Sequence, residues 1–170
     1  MIKPHGSDEL NPLFVYDSAE NEALQKEAES LKSILVSSAS AANAVMMGAG
    51  YFNPLTGYMN KADALSVAKD MKTTSGLFWP TPVLNLVENA GDIKVGDRIA
   101  LKDPNVEGNP VLAVMNVEAI EEFTDAEMDD IAKNVYRASD EEAHPGVDAF
   151  MSQGKVALSG PIKVLNFSYF

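Results

Sequence analysis

Apolar residues recur along this chain at two spacings. Met128, Ile131, Ala132 and Val135 fall at i, i+3, i+4 and i+7, which is one face of a helix. Thr124 and Glu127 stand ahead of them as a capping box. Asp125, Glu127, Asp129 and Asp130 crowd the end where a helix dipole favours acid. Three further helices are expected upstream. Asp17 and Glu20 form a capping-box pattern before Leu24, Ala28 and Leu31. "SASAANAVMMGAG" offers serine caps, a stripe of Ala42, Val45 and Met46, and a glycine stop. Asn60 and Asp63 open a helix whose buried side is read as Ala64, Leu65, Ala68 and Met71, ended by "TTSG".

The other spacing is that of strands. "SILVSS" is a short β-like run. "LFWPTPVLNLVE" reads as a strand whose first half Pro80 and Pro82 confine to an edge or a bulge. "IKVGDRIALKD" and "PVLAVMNVEAIEEF" are the clearest strands, and with the turn-rich "DPNVEGNP" between them they predict a hairpin with a long loop. "DEEAHPGVDAFMSQG" is irregular or a short helix after its proline, and "KVALSG" and "PIKVLNFSYF" close the chain as strands. Residues 1–16, with Pro4, Gly6 and Pro12, read as an extended lead-in. Mixed helices and short strands with glycine turns predict an α+β domain around a small barrel. No repeat, low-complexity tract or linker divides residues 1–170, so one domain is expected. The apolar pattern runs to Phe170, which is unusual for a terminus. A tucked-in strand, a covering partner or further chain would each account for it.

Composition narrows the function. A chain of this size buries roughly 70% of its unfolded surface and needs no staples. There are no cysteines, which excludes a disulfide framework, a thiolate metal site and a cysteine nucleophile. No stretch approaches the roughly 18 apolar residues of a membrane span, and "MIKPHGSDELNP" lacks the apolar core of a signal peptide. A cytoplasmic protein is the expectation, with no membrane partner. Thirteen basic against 25 acidic residues give a net charge of −12, and only Arg98 and Arg137 are arginines. Phosphate and sulfate are held best by forked guanidinium donors, and nucleic-acid modules show a basic face. This chain has neither the sign nor the arginines, so no nucleic-acid partner is expected. The acidic surplus keeps a domain soluble.

The candidate chemistry is thin. His5 and His144 lack a histidine neighbour at metal-ligand spacing. His144, in "AHPGV", has the chemistry to titrate near neutral pH, but a histidine before proline and glycine more often bonds the turn. There is no GxxxxGK[ST] loop, GxGxxG or GxSxG. Asp140 to Glu142 are acidic enough for a hard cation but read better as a solvated turn. "DPNVEGNP" carries calcium-loop residue types at the wrong spacing. No catalytic, cofactor-binding or metal-binding residue is assigned.

One motif remains. "GAGYFNPLTGYMN" resembles the G-x-F-x-P-L-x-G-F-M signature of the ATP sulfurylase (sulfate adenylyltransferase) family. Gly50, Phe52, Pro54, Leu55, Gly57 and Met59 match, and Tyr58 replaces the usual phenylalanine. "PVLNL" after "FWP", "DPNVEGNPVLAVMNVEAIEEF", "VYRASDEEAHPGV" and "GKVALSGPIKVLN" are similar to further family segments, in order. The resemblance implies a PUA-like N-terminal domain, a pseudo-barrel of short strands flanked by helices. The family's catalytic domain follows it, with Gln-x-Arg-Asn, paired-histidine and Gly-Arg-Asp motifs that bind ATP, with magnesium, and sulfate. None of these motifs is present. Gln25 and Gln153 are followed by Lys26 and Gly154, and neither arginine follows a glycine or precedes an aspartate.

The resemblance therefore implies a non-catalytic domain whose partner is the catalytic domain of the same enzyme, a homo-oligomer in this family. The role of the parent enzyme, in sulfate assimilation or in its reverse, stays open. In the signature, Gly50 and Gly57 are expected at backbone turns, Pro54 at the start of a turn, and Phe52, Leu55 and Met59 in packing. The alternative is that the tyrosines or Met59 touch the catalytic domain. Two other functions fit the fold: a PUA-type RNA-binding module, which the charge opposes, and a structural or regulatory subunit docking on a separate catalytic chain.

Overall fold

The computed structural model describes residues 2–138 and 144–169. The first helix, α1 (Ser18–Ala28), starts where the Asp17 carboxylate accepts from the Glu20 N–H. Only half of that capping box forms, because the Glu20 carboxylate turns to Lys163 at 2.8 Å. Strand β1 (Ser33–Leu35) follows, then α2 (Ser38–Gly48), capped by Ser37. Its buried face is Ala41, Ala44, Val45, Met47 and Gly48, whereas Ala42 and Met46 are exposed. The expected stripe is rotated by one residue, since a uniformly small and apolar helix carries little contrast to orient it.

The two-residue strand β2 (Gly57–Tyr58) leads into α3 (Lys61–Asp70), capped by Asn60. Ala64, Val67 and Ala68 are buried and Leu65 half-buried. Met71, expected in the core, is exposed because it ends the helix in a left-handed conformation, φ 53°. Within "LFWPTPVLNLVE" only Leu86–Val87 form a strand, β3. The expected longer strand fails because Pro80 and Pro82 offer no N–H to a ladder. Val83 instead pairs with Met59, whose N–H donates to the Val83 carbonyl at 2.8 Å.

Strands β4 (Arg98–Lys102) and β5 (Val111–Asn116) form the expected antiparallel hairpin. Its loop is tied by Asn109 Nδ2 to the Asp103 carbonyl and by the Asn105 N–H to Asp103 Oδ1. "PVLAVMNVEAIEEF" is not one strand. It breaks at Val117–Glu118, and β6 (Ala119–Glu122) resumes beyond the break. Helix α4 (Asp125–Tyr136) then carries the full Thr124–Glu127 capping box. A short helix, α5 (Pro145–Met151), precedes β7 (Val156–Val164). The two closing strands expected at the end are this single strand, which runs through Gly160–Pro161.

Strand β7 is the hub of a curled mixed sheet. It pairs antiparallel with β5 and β6 on one side and with β2 and β3 on the other. β1 adds to the far edge of β4 in parallel. Between the pairings of β7 with β5 and β6 the register shifts by one, the extra residue lying in Asn116–Glu118 opposite Gly160–Pro161 of β7, and Gly160 has φ 146°. A bulge of this kind bends the strand and raises its twist. The side chains then separate by alternation. Ile99, Leu101, Leu112, Met115, Leu158 and Ile162 fill the barrel with Tyr58, Met59 and Trp79. Ala100 and Val114 face outward against Leu24 and Ala28 of α1. Ala157 and Leu86 face α3, α4 and α5 through Ala64, Phe123, Met128, Ile131 and Phe150. Each fully buried leucine or isoleucine contributes roughly 1.5–3 kcal/mol.

The lead-in is not loose. Its backbone bonds Met47, Gly48 and Val164 through Leu13, Phe14 and Val15, and Phe14 stacks on Phe167 at 4.4 Å. Among the described residues no helix is long and apolar enough to cross a membrane.

A Cβ built on Gly160 would lie 2.0 Å from the Asn116 carbonyl oxygen, with backbone on both sides. Gly76 also has a left-handed φ, +89°, but open space around it. Gly160→Ala is therefore expected to destabilise the fold by about 3 kcal/mol or more, and Gly76→Ala by only about 1–2 kcal/mol. Urea unfolding followed by the single tryptophan, Trp79, reads both. Equal midpoint shifts would refute the close approach.

Candidate functional site

The signature segment forms one wall of a cavity of about 450 Å³. Pro54 to Asn60 make that wall, and the Asn53–Pro54 bond within the segment is cis. The facing walls are the start of α3 at Asp63, the turn Thr73–Leu77, the break between β5 and β6 at Glu118, and β7 at Ser159–Pro161. The topology that bends β7 thus also opens the cavity.

Each signature residue has a definite place. Gly50 has φ +82° and turns the chain after α2, with Leu10 and Pro12 packed over it. Gly57 is not at a left-handed turn. It lies in β2, where a Cβ would sit 1.9 Å from the Gly160 carbonyl oxygen. Only a residue without a side chain lets β2 pair with β7 at Gly160. Phe52 meets Trp79 edge-on at 5.5 Å. Met59 is buried, and its sulfur accepts the Val83 N–H at 3.4 Å. Pro54 and Leu55 are half-buried.

The two signature tyrosines differ. Tyr58 is buried and donates its hydroxyl to the Ser40 carbonyl at 2.5 Å, and burial pushes its pKa far above the ordinary 10. Tyr58 and Met59 are buried apart from their part in the cavity wall, whereas Tyr51 is exposed.

Asn53 lies between the signature positions. It is buried, accepts the Asn11 N–H at 2.8 Å, and donates to the His5 carbonyl at 3.0 Å and the Ser7 hydroxyl at 2.7 Å. It ties the lead-in to the signature loop. A lone asparagine before a proline reads as a turn, and its partners lie more than forty residues away, so no local signal marks it.

The histidines are turn residues here. His144 caps α5, and its Nδ1 accepts the Gly146 N–H at 2.9 Å. His5 Nε2 lies 2.8 Å from the Phe78 carbonyl oxygen. Asp140 to Glu142 and Phe170 lie outside the described residues.

The electrostatics of the cavity are one-sided. Its charged lining residues are Asp63 and Glu118, and no lysine or arginine lines it. Lys61, at the start of α3, is committed elsewhere. Its ammonium meets Glu127 at 2.8 Å and the Glu122 carbonyl at 3.0 Å, over the Phe123 ring. The Lys61 hydrogen bond, helped by the Thr124 N–H, holds the Glu127 carboxyl below its usual range. Lys3, Lys32, Arg98, Lys155 and Lys163 are likewise paired with carboxylates. The residues do not fit a triphosphate, which needs convergent cations. Among the described residues no three carboxylates or histidines converge.

The curled sheet with its helices and the signature-walled cavity define a class. The chain belongs to the PUA-like domain family, whose model matches residues 2–167. More particularly, it is 61% identical over its whole length to a sulfate adenylyltransferase of Allochromatium vinosum, of which it covers 43%. It is 58% identical to one of Alcanivorax borkumensis, covering 42% of it, and 56% identical to one of a Riftia pachyptila sulfur-oxidizing endosymbiont, covering 38%. The chain therefore spans about two fifths of the length of the curated relatives it matches. A solved structure, a hexameric APS kinase from Thiobacillus denitrificans, shares the fold. Its TM-score is 0.67 at 24% identity, over 98% of this chain and 27% of that one.

Two outcomes are expected. Asn53→Ala leaves the partners in the lead-in unmet and should cost about 1–3 kcal/mol. Limited proteolysis should then cut within residues 5–11 well before the core, and unchanged cleavage would show that the tie is redundant. Glu127 carries a folded pKa below its ordinary 4.5, so its stabilisation is present above that value and is lost as pH falls through the lowered one. Glu127→Gln should lower the urea midpoint at neutral pH, and the two midpoint curves should converge in acid.

Proposed function

We propose that this chain is the non-catalytic N-terminal domain of a sulfate adenylyltransferase. The whole enzyme joins sulfate to the adenylyl group of ATP and releases pyrophosphate, or runs the reverse reaction. A sulfate oxygen attacks the α-phosphorus in line, and the bond from that phosphorus to the pyrophosphate oxygen breaks. Such a transfer needs preorganised positive donors around the polyphosphate. The observation that carries the reading is 56–61% identity, over the entire chain, to enzymes of that name more than twice its length. ATP, with magnesium, and sulfate are bound by the catalytic remainder of the polypeptide. The role of this domain is packing surface for that remainder, and the enzyme works in the cytoplasm.

The thin cation supply supports assigning the chemistry elsewhere. The cavity is acidic, and six of the basic side chains are already paired with carboxylates. The same charge opposes RNA binding, whose affinity rests on phosphate contacts.

Isothermal titration of the 170-residue chain with ATP and with sulfate tests this. The expected result is no saturable heat for either at millimolar concentration. Tighter binding of either, or release of pyrophosphate from ATP by this chain given sulfate, would overturn it.

A further inference from the structure

We propose that the aromatic face made by Tyr16, Phe14 and Phe167 is the docking surface for the polypeptide that follows residue 170, the catalytic remainder of the enzyme. The inference rests on the function proposed above and adds to it the face through which the two parts meet.

This face is built from both ends of the described chain. Phe14 stacks on Phe167 with ring centroids 4.4 Å apart, and Tyr16 meets Phe14 edge-on at 4.8 Å. The backbone beneath is held firmly. The Phe14 N–H donates to the Gly48 carbonyl at 3.1 Å, and the Val15 N–H donates to the Val164 carbonyl at 2.9 Å. Tyr16 is nevertheless 68% exposed, and Tyr169, two residues past Phe167, is 74% exposed. A groove of about 260 Å³ runs beside Phe14 and Tyr16, and Glu22 and Gln25 of α1 give it a polar far side. Contiguous exposed apolar surface marks an interaction site, and an aromatic centre with a polar rim is the anatomy of a protein interface.

Two observations name the occupant. The first is where the chain leaves the sheet. Past β7 the Leu165 N–H donates to the Leu112 carbonyl at 2.8 Å, and the Asn166 side-chain oxygen accepts the Ser168 N–H at 2.8 Å. Ser168 then turns the backbone with a left-handed φ of 57°. Tyr169 is therefore within roughly 7 Å of backbone from Phe167, at the edge of the stacked rings. The second is length. The chain covers 42% and 43% of two sulfate adenylyltransferases that it matches from end to end. In an enzyme of that length more than half of the polypeptide continues from this face. So short a tether holds the following segment at an effective concentration of about millimolar, against which a second copy of the chain has to compete.

Tyr16→p-benzoylphenylalanine in the full-length polypeptide tests the contact. Irradiation is expected to give a cross-link within one polypeptide, from residue 16 to a peptide beyond residue 170. A product of twice the polypeptide mass would name a second copy as the occupant and overturn the proposal. Hydroxyl-radical labelling of the unaltered protein needs no variant to fold. Oxidation of Tyr16 should be at least about fivefold slower in the full-length polypeptide than in the 170-residue chain, as burial at the centre of an interface requires. Equal labelling of Tyr16 in the two would overturn the proposal. Release of pyrophosphate from ATP and sulfate by the full-length polypeptide is measured alongside. Its absence would overturn the proposed function, while the labelling and the cross-link still decide the docking face.

Discussion

Strand β7 can serve four neighbours because its backbone is approached from both sides at Gly160. The carbonyl of Gly160 faces Gly57 where a Cβ would lie at 1.9 Å, and its Cα faces the Asn116 carbonyl where a Cβ would lie at 2.0 Å. No side chain fits at either contact. This double approach bends β7, skips the register between β5 and β6, and lets β2 close the curl. The barrel interior, the outer helical layer and the cavity all follow from where that strand bends. Much of the signature motif is the sequence record of this geometry, with Gly57 for the approach and Met59 and Phe52 for the packing beside it.

Charge is distributed with similar economy. The chain carries almost twice as many acids as bases, and a large part of its basic side chains is spent on pairing. Exposed pairs of this kind contribute only about 0–1 kcal/mol each. Their larger consequence is what they leave over. With Lys61 turned to Glu127, the start of α3 presents the Asp63 carboxylate to the cavity rather than an ammonium. A domain built this way is poorly suited to polyanions.

The lead-in shows how distant residues make one surface. Residues 2–16 have little regular structure, yet Asn53, Met47, Gly48 and Val164 hold them by backbone and amide bonds. The signature loop is clamped between this segment and β7. Its shape is therefore set by both ends of the described chain and not by its own residues alone.

How much of this was legible beforehand depends on the range of the interaction. Helix α4 was readable because its cap and its apolar stripe lie within twelve residues and agree. The β4–β5 hairpin was readable because its turn chemistry is local. The family resemblance rested on residues contiguous in the chain. The departures from local pattern have one cause. Ala42 and Met46 were turned outward, "LFWPTPVLNLVE" lost most of its ladder, and the boundaries of β5, β6 and β7 were misplaced, because partners across the sheet decide each of these. The amino-acid order by itself determined the class of fold, the acidic surface and the missing polyphosphate donors, since composition and local pattern suffice for those. Only the tertiary structure decided that Gly57 serves a close approach rather than a turn, that Asn53 holds the lead-in, and that Asp63, Glu118 and Ser159 share a cavity. These residues lie between 41 and 103 positions from the partners that give them meaning, a distance no local pattern spans.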